Sequence, residues 1–413
     1  MGLKRKPHQK SRNGCGVCKH RRIKCDEQKP RCSHCVRLEA DCVYPERKIA
    51  RRPSPHSDST HPTPSQASVQ TPTSEHYAYF NADFSHSNDH FYGLNDLAFL
   101  HHWTLTTSRS IVESPQMDHV WQSTFPNIGF RHNFVMQGLL CLSALHIAYL
   151  HPPNRRAHMQ VAAMYHTQSL NGFRNAIAAA DLDHGDALFV GAILAFLCSF
   201  VTFGELYEEF TDDSAVGAIG AMGTRATRVL GADWIPLVRG LEAILGPVYD
   251  QIRTGPLEIL LDIGNWDDLD PDVHPGVGDE QMLAIRQLWK DDNNHQIYEE
   301  TLQKLRKGSA WVKHFQATVY NPESGAQEPS YNQGWSTPFI WLFMVPEGYL
   351  KLQRQRQPIA LVLFAYFGTL IQQIDRFWWA QGCAKNIVAV TSECLGPFWD
   401  PWIAWPKSFV GLS

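Results

Sequence analysis

The chain has 413 residues, 44% of them hydrophobic and 19% charged, and its formal net charge at pH 7 is −4. The charge is unevenly divided, because residues 1–52 carry 16 Lys and Arg against 5 Asp and Glu, which leaves a net charge of −15 on residues 53–413. This asymmetry predicts a polyanionic partner for the N-terminal part alone. The basic arm, residues 1–14, has no apolar run behind it, which excludes a secretory signal there.

Six of the ten cysteines follow the arm with the spacing C-x2-C-x6-C-x6-C-x2-C-x6-C. A shift of 17 residues superimposes the first three on the last three, so the segment is a tandem duplication. A basic run separates the second cysteine from the third. The cysteines are Cys15, Cys18, Cys25, Cys32, Cys35 and Cys42, and the run contains Lys19, His20, Arg21, Arg22 and Lys24.

Two chemistries fit six closely spaced cysteines. Three disulfides would need an oxidising compartment, for which the N-terminus provides no signal. Thiolates at C-x2-C spacing instead favour Zn²⁺, which prefers tetrahedral sulfur. Six sulfurs can complete two four-sulfur sites only if two of them are shared.

The segment from Cys15 to Cys42 resembles the DNA-binding domain of the fungal Zn2Cys6 binuclear cluster transcription factors. All six cysteines, the basic run and Pro30 coincide with that pattern. The resemblance implies a small domain, residues 15–45, with two short helices stapled by two Zn²⁺ ions. One ion would bind Cys15, Cys18, Cys25 and Cys32 and the other Cys32, Cys35, Cys42 and Cys15, so that Cys15 and Cys32 bridge. The metal would then supply the folding free energy.

The same resemblance implies a nuclear, sequence-specific RNA polymerase II regulator that binds double-stranded DNA. In the family, basic residues just before the third cysteine contact a CGG-type triplet. The candidate DNA-binding residues are therefore Lys19, His20, Arg21, Arg22 and Lys24, with Arg21 and Arg22 as base contacts. A short helix that begins near Cys18 would project them, and Arg and Lys suit the O6 and N7 acceptors of guanine. A contact to phosphate alone is the alternative for each residue.

Residues 46–92 are predicted to form a basic and then Pro/Ser/Thr-rich disordered linker. Fifteen of the 24 residues at 53–76 are Pro, Ser or Thr, too polar to offset the entropy of ordering. No heptad repeat follows the cysteines, although many family members dimerise through a coiled coil at this place. A homodimer would therefore depend on the C-terminal domain, and a monomer is the alternative.

Residues 93–413 are predicted to form a large all-α domain. The segment at 186–203 has no charge after Asp186 but is short for a membrane span. We therefore expect it to form a buried core helix, and we expect no association of the chain with a membrane. His166 and the four remaining cysteines are predicted to lie in the core. Loops are expected at 264–278 and 322–338. Helices are predicted at 94–110, 131–150, 155–180, 186–203, 215–230, 235–252, 279–290, 296–318 and 357–381.

Residues 99–150 resemble the C-terminal regulatory region of a fungal subgroup that includes the sterol uptake control proteins. The pattern includes Trp103, Trp121, Pro126, His132 and His146. In the sterol-sensing members this domain holds a lipophilic ligand and dimerises, and the subgroup also contains regulators of secondary-metabolite clusters. We therefore expect a regulator of a metabolic or secondary-metabolite cluster, with a lipophile-sensing regulator of sterol or lipid genes as the alternative. A helical enzyme with a zinc targeting module has no supporting H-E-x-x-H, G-x-S-x-G or P-loop motif, so we expect no enzyme.

Overall fold

The computed structural model describes residues 15–21, 23, 25–38, 42, 92–112, 114–179, 184–204, 206, 225–263, 269–319 and 333–412. The chain divides into two units at the boundary between residues 72 and 73. The described residues contain helices and turns and no strand, as the predicted fold class requires. The predicted basic arm and residues 46–91 of the predicted linker lie outside the described residues, as do Arg22 and Lys24.

The first unit contains two helices of five residues each, α1 (Gly16–His20) and α2 (Ser33–Arg37), 17 residues apart as the duplication predicts. Each helix is preceded by the first cysteine of a C-x2-C pair in an extended conformation, Cys15 for α1 and Cys32 for α2. The two short helices expected of a metal-stapled domain are confirmed.

The second unit is an assembly of helices around a large apolar core, beside which a small separate cluster is buried near Trp311. Its first half contains α3 (Leu94–His102), continued by a π-helical turn (Trp103–Thr107), then α4 (Pro115–His119), α5 (Phe125–Arg131), α6 (Asn133–Leu150), α7 (Arg155–Ala178) and α8 (Gly185–Val201). Its second half contains α9 (Trp234–Arg253), α10 (Asp279–Ala284), α11 (His295–Val319), α12 (Gln333–Met344), α13 (Glu347–Arg354), α14 (Pro358–Ile371), α15 (Cys383–Leu395) and α16 (Asp400–Phe409).

Helices α6, α8 and α14 form the centre of this core, because they are apolar on nearly every side and almost entirely buried. Glycine lets α8 approach its neighbours closely, since a Cβ at Gly191 would lie 2.5 Å from Cε2 of Phe134. The core is rich in aromatic contacts, and Phe200 alone packs edge-on against Phe203, Trp234 and Phe339. The prediction that 186–203 is a buried core helix is confirmed.

Two helical segments among the described residues are long and apolar enough to cross a membrane by length and composition. They are α6 and the pair formed by α13 with residues 358–374, which bends by 105°. Because 78% of α6 is buried inside the protein, its apolar side chains pack in the core of the helical unit.

Several predicted helix bounds were wrong for identifiable reasons. The helix predicted at 357–381 ends at Ile374, where turns begin that bury Phe377 and Trp379 and are tied by the Gly382 amide donating to Asp375. The loop expected at 322–338 is helical from Gln333, and Pro338 lies inside α12. Cys394 is exposed, whereas the other three cysteines of this unit are buried as predicted. Residues 215–224 of one predicted helix lie outside the described residues, and 225–229 are helical.

Candidate metal centre and nucleic-acid interface

The sulfurs of the first unit lie close together in a small buried cluster. The Sγ atoms of Cys15 and Cys32 are 3.7 Å apart, that of Cys35 is 3.6 Å from Cys15, and that of Cys18 is 3.7 Å from Cys32. These four residues and Cys25 are at most 2% exposed. Among the described residues of this unit only Val17, Ile23 and Cys42 pack against the five as partly buried apolar residues, so the sulfurs themselves form the core.

The contacts divide the sulfurs into two overlapping sets. The Cys18 thiol contacts those of Cys15, Cys32 and Cys25. The Cys35 thiol contacts those of Cys32, Cys15 and Cys42. Cys15 and Cys32 therefore belong to both sets, at the first position of each sequence repeat.

This arrangement fits a binuclear zinc cluster. A Zn–S bond of about 2.3 Å places the sulfurs of a tetrahedral site about 3.8 Å apart, close to the separations observed here. The Cys15, Cys18, Cys32 and Cys35 sulfurs lie within 4.8 Å of one another, as do ligand atoms of Cys25, Asp26 and Cys32. Zinc stabilises the thiolate over the thiol, so the ions would hold these buried sulfurs deprotonated.

The backbone holds the sulfurs in place through helix starts and a loop. The Cys32 sulfur caps α2 by accepting from the Cys35 amide at 3.4 Å, and the Cys42 sulfur accepts from the Cys32 amide at 3.3 Å. Asp26 accepts from the Ser33 amide at 3.1 Å, and hydrogen bonds from Ser33 lower the pKa of the Asp26 carboxyl. The sequence pattern had singled out neither Asp26 nor Ser33.

The basic residues extend from the sulfur cluster into solvent. Lys19 and His20 end α1, Arg21 is its C-cap, and all three side chains are exposed. The helix therefore begins at Gly16, two residues earlier than predicted, and ends before the basic run is complete. The structure thus brings Lys19, His20 and Arg21 to one helix end; Arg22 and Lys24 lie outside the described residues.

The second repeat carries less positive charge at the equivalent positions, where Arg37 is the one cation. After the 17-residue shift, Val36 corresponds to Lys19, Arg37 to His20 and Leu38 to Arg21. Val36 and Leu38 are 56% and 47% exposed, so α2 presents apolar side chains where α1 presents cationic ones. The duplicated fold therefore carries its concentrated positive charge on the α1 side among the described residues.

Most of the residues that carried the second resemblance lie in the core of the helical unit, whereas His132 is half-buried. Trp103 is fully buried and its Nε1 donates to the Trp121 carbonyl at 2.9 Å. His146 is buried, with Nδ1 3.0 Å from the Thr107 hydroxyl and its ring stacked on Trp378. These residues therefore contribute to the packing of the helical unit.

Comparison with known proteins assigns a family to each region. Residues 13–51 match the fungal Zn(2)-Cys(6) binuclear cluster domain, and residues 98–214 match the fungal specific transcription factor domain. A Zn(2)-C6 fungal-type transcription factor of Gibberella zeae is 24% identical and covers 97% of this chain and 86% of its own length. The Zn(2)-C6 fungal-type transcription factor afumD of Aspergillus fumigatus is also 24% identical, over 67% of this chain and 69% of its own length.

A more local similarity links the chain to a third protein. Sterol uptake control protein 2 of Candida albicans is 66% identical over 41 residues, which are 10% of this chain and 6% of that protein. The similarity lies in the N-terminal domain.

The resemblance of the cysteine segment to the zinc cluster domain is confirmed, and residues 98–214 are confirmed as a fungal specific transcription factor domain. The match to a sterol uptake control protein lies in the N-terminal domain, so the expected likeness of residues 99–150 to that subgroup stays a prediction. Both domains belong to transcription factors rather than enzymes. The chain therefore contains a fungal Zn(2)-Cys(6) binuclear cluster domain, a type of domain that binds two zinc ions and DNA, followed by a fungal specific transcription factor domain, and over most of its length it is similar to fungal Zn(2)-C6 transcription factors.

Proposed function

We propose that this protein is a nuclear regulator whose zinc cluster recognises CGG-type triplets in the major groove. The observation that carries the proposal is the exposed cationic end of α1, where Lys19, His20 and Arg21 directly follow a buried sulfur cluster. A guanidinium held at the end of a rigid helix can donate two hydrogen bonds to O6 and N7 of guanine. Arg21 and Arg22 are assigned the base contacts, and Lys19, His20 and Lys24 complete the DNA surface.

The zinc ligands are assigned from the two overlapping sulfur sets. One ion takes Cys15, Cys18, Cys25 and Cys32. The other takes Cys32, Cys35, Cys42 and Cys15. Support comes from the contacts of Cys18 and Cys35, which select the members of these two sets.

The helical unit is assigned a regulatory role, with homodimerisation through this unit and control of a metabolic or secondary-metabolite gene cluster. Its match to the fungal specific transcription factor domain supports this role. The second candidate is a ligand-sensing regulator, favoured by a cleft of about 590 Å³ between α7, the end of α8 and the start of α9. That volume lies in the range of small-molecule sites.

The DNA assignment is tested by fluorescence anisotropy of the zinc-loaded full-length chain on a duplex with one CGG triplet and on a duplex with that triplet scrambled. Arg21→Ala should weaken binding to the CGG duplex by roughly 1–3 kcal/mol. It should also reduce the difference in affinity between the CGG duplex and the scrambled duplex. Affinity for both should fall steeply with salt.

Arg37→Ala is the matched control, because Arg37 is an exposed cation at the end of α2. It should leave the preference for CGG unchanged. Equal losses on both duplexes from Arg21→Ala would mean that Arg21 contacts phosphate only and would refute its role as a base contact.

A further inference from the structure

A hydrogen bond closes the loop that joins the two sequence repeats of the first unit. Cys25 is the last cysteine of the first repeat and Cys32 is the first cysteine of the second, with six residues between them. The residue after each cysteine takes part in the bond, because the Asp26 carboxylate accepts from the Ser33 amide at 3.1 Å. The carboxylate also lies beside the sulfurs, since its oxygen and the Sγ atoms of Cys25 and Cys32 are within 4.8 Å of one another. The bond therefore ties the two ends of the loop together at the edge of the sulfur cluster.

The same bond fixes the start of α2. Ser33 is the first residue of that helix, and its amide is one of those that a helix start leaves without an internal partner. Asp26 satisfies this amide, and the Cys32 sulfur satisfies the amide of Cys35. Because α2 follows Cys32 directly and contains Cys35, the orientation of its first turn sets the positions of both sulfurs.

The duplicated pattern supplies no second copy of this bond. After the 17-residue shift, Val43 corresponds to Asp26 and Gly16 corresponds to Ser33. A valine side chain has no hydrogen-bond acceptor. The repeat of the cysteines therefore does not explain why an acid follows Cys25.

We propose that Asp26 is a positioning residue of the zinc centre. By accepting from the Ser33 amide, it holds Cys25 and Cys32 at the separation that one zinc ion requires. That ion is the one assigned above to both cysteines, since the other ion is not bound by Cys25. Groups that hydrogen-bond next to metal ligands orient those ligands and raise metal affinity. Direct ligation by the carboxylate is disfavoured, because thiolates complete both four-sulfur sites in the proposed ligand assignment.

The position of Cys25 also bears on the basic run. That run lies between Cys18 and Cys25, and within it Ile23 is half-buried against the sulfurs, with its amide donating to the Cys18 carbonyl at 3.1 Å. Both ends of the run are therefore attached to the cluster, and a loosened Cys25 would free the downstream end. This consequence for DNA recognition rests on the proposed function, whereas the effect on zinc affinity does not.

Competition for zinc between the full-length chain and a chromophoric chelator tests the role of Asp26. In Asp26→Ala, one of the two ions should be bound about tenfold more weakly, since loss of a partner beside a metal ligand lowers metal affinity by at least that order. Asp26→Asn should recover most of the loss, because its amide oxygen can still accept from the Ser33 amide. The matched control is Glu27→Gln, which removes a carboxylate from the next position and should bind zinc as the wild-type chain does.

The amide donor can also be removed while the helix start is kept. Proline is well accepted at the first position of a helix, and Cys32 already has the extended conformation that precedes a proline. Ser33→Pro should therefore weaken zinc binding as Asp26→Ala does, and more than Ser33→Ala, which keeps the amide. The double variant Asp26→Ala/Ser33→Pro should bind zinc no more weakly than either single variant, because both substitutions remove the same bond.

Cobalt substitution distinguishes positioning from ligation. The cobalt-loaded Asp26→Ala chain should keep the visible absorption bands of the wild-type chain, because the same thiolates bind the metal. A changed set of bands would identify Asp26 as a ligand and overturn the proposal. Unaltered zinc affinity in Asp26→Ala, no recovery in Asp26→Asn, or additive losses in the double variant would overturn it as well.

The zinc measurement involves no DNA, so its outcome is independent of the proposed function. Wild-type zinc affinity in Asp26→Ala, together with a preference of the wild-type chain for the CGG duplex, refutes the assignment of Asp26 alone. Weakened zinc binding in Asp26→Ala, together with no CGG preference in the wild-type chain, refutes the proposed function alone.

Discussion

At the scale of single residues, the sulfur cluster gives its six cysteines unequal importance. Cys15 and Cys32 belong to both overlapping sets of sulfurs, whereas Cys42 belongs only to the set around Cys35 and is only partly buried. A thiolate shared by two ions cannot be lost without opening both sites. Loss of a thiolate that binds only one ion leaves the site of the other ion complete.

Metal content should therefore distinguish the two positions. Cys32→Ser is expected to reduce bound zinc from two ions per chain to well below one, and Cys42→Ser to leave about one, measured by plasma mass spectrometry after gel filtration. Equal zinc loss in the two variants would contradict the bridging assignment of Cys32.

A second residue-scale feature is His146, which is 4% exposed and lies between the Thr107 hydroxyl, the His102 ring and the face of Trp378. Burial, and secondarily the proximity of His102, lower the pKa of His146 to about 4. The unfolded chain takes up this proton near pH 6.5, whereas the folded chain does so only near pH 4. Its contribution to stability is therefore complete above pH 6.5 and is lost as the pH falls towards 4.

Urea denaturation between pH 7 and pH 4.5 tests this linkage. All 13 tryptophans lie at residue 103 or beyond, so tryptophan fluorescence reports the helical unit. The wild-type chain should lose up to about 1.4 kcal/mol per pH unit more than His146→Gln in this window. The exposed His119→Gln variant should keep the wild-type slope, and an identical slope for His146→Gln would contradict the assignment.

At the scale of elements, glycine controls how closely the central helices pack. Gly191 of α8 faces the ring of Phe134 on α6, and that ring is itself held against Phe173 of α7. Gly240 of α9 has no atom within 4 Å of the position of an added Cβ. The same substitution therefore has opposite consequences at the two sites.

Gly191→Ala is expected to destabilise the helical unit by about 1–3 kcal/mol through overpacking, and Gly240→Ala to stabilise it by up to about 1 kcal/mol through helix propensity. Thermal unfolding followed by circular dichroism at 222 nm measures both. A stabilising Gly191→Ala would show that α8 can move away from Phe134 at little cost.

The elements also show which parts of the fold sequence patterns can predict. Helices α6, α8, α9 and α11 were predicted to within three residues, because continuous apolar stretches or a strong apolar face determine them locally. Helix α12 was missed because Pro338 lies inside it, and a proline normally indicates a loop. The C-terminal end of α12 is stabilised by Arg239 of α9, which donates to the carbonyls of Leu342 at 3.1 Å and Val345 at 3.3 Å. That stabilisation comes from a residue about 100 positions away, which no local pattern contains.

The same distinction applies to the sites. The cysteines and the basic run of the zinc domain are contiguous, so their chemistry is visible in the spacing. The cleft joins Arg174 of α7 to Arg228 and Asp233, which lie more than 50 residues further along the chain, Asp233 in the turn before α9. Only the folded structure brings their charges together.

At the scale of the whole molecule, the two units derive their stability from different sources. The helical unit has a large apolar core, whereas the core of the first unit consists of sulfurs. Metal removal should therefore act on the first unit alone, since metal binding supplies its folding free energy.

Treatment with a zinc chelator should abolish duplex binding while it leaves the tryptophan-monitored unfolding transition in place. Calorimetry measures the duplex binding and fluorescence measures the unfolding transition on the same sample, with zinc-saturated chelator as control. A tryptophan transition that shifts together with zinc loss would show that the helical unit depends on the metal.

The central claim, that the zinc cluster recognises CGG-type triplets, is tested most directly by selection from a pool of random duplexes with the full-length chain. The zinc-loaded protein should enrich duplexes that contain CGG-type triplets, and Arg21→Ala should reduce that enrichment. Chelator should abolish it, because the sulfur cluster forms the core against which α1 packs in the described part of the zinc domain. Enrichment of no GC-rich triplet, or the same enrichment with chelator present, would contradict the claim.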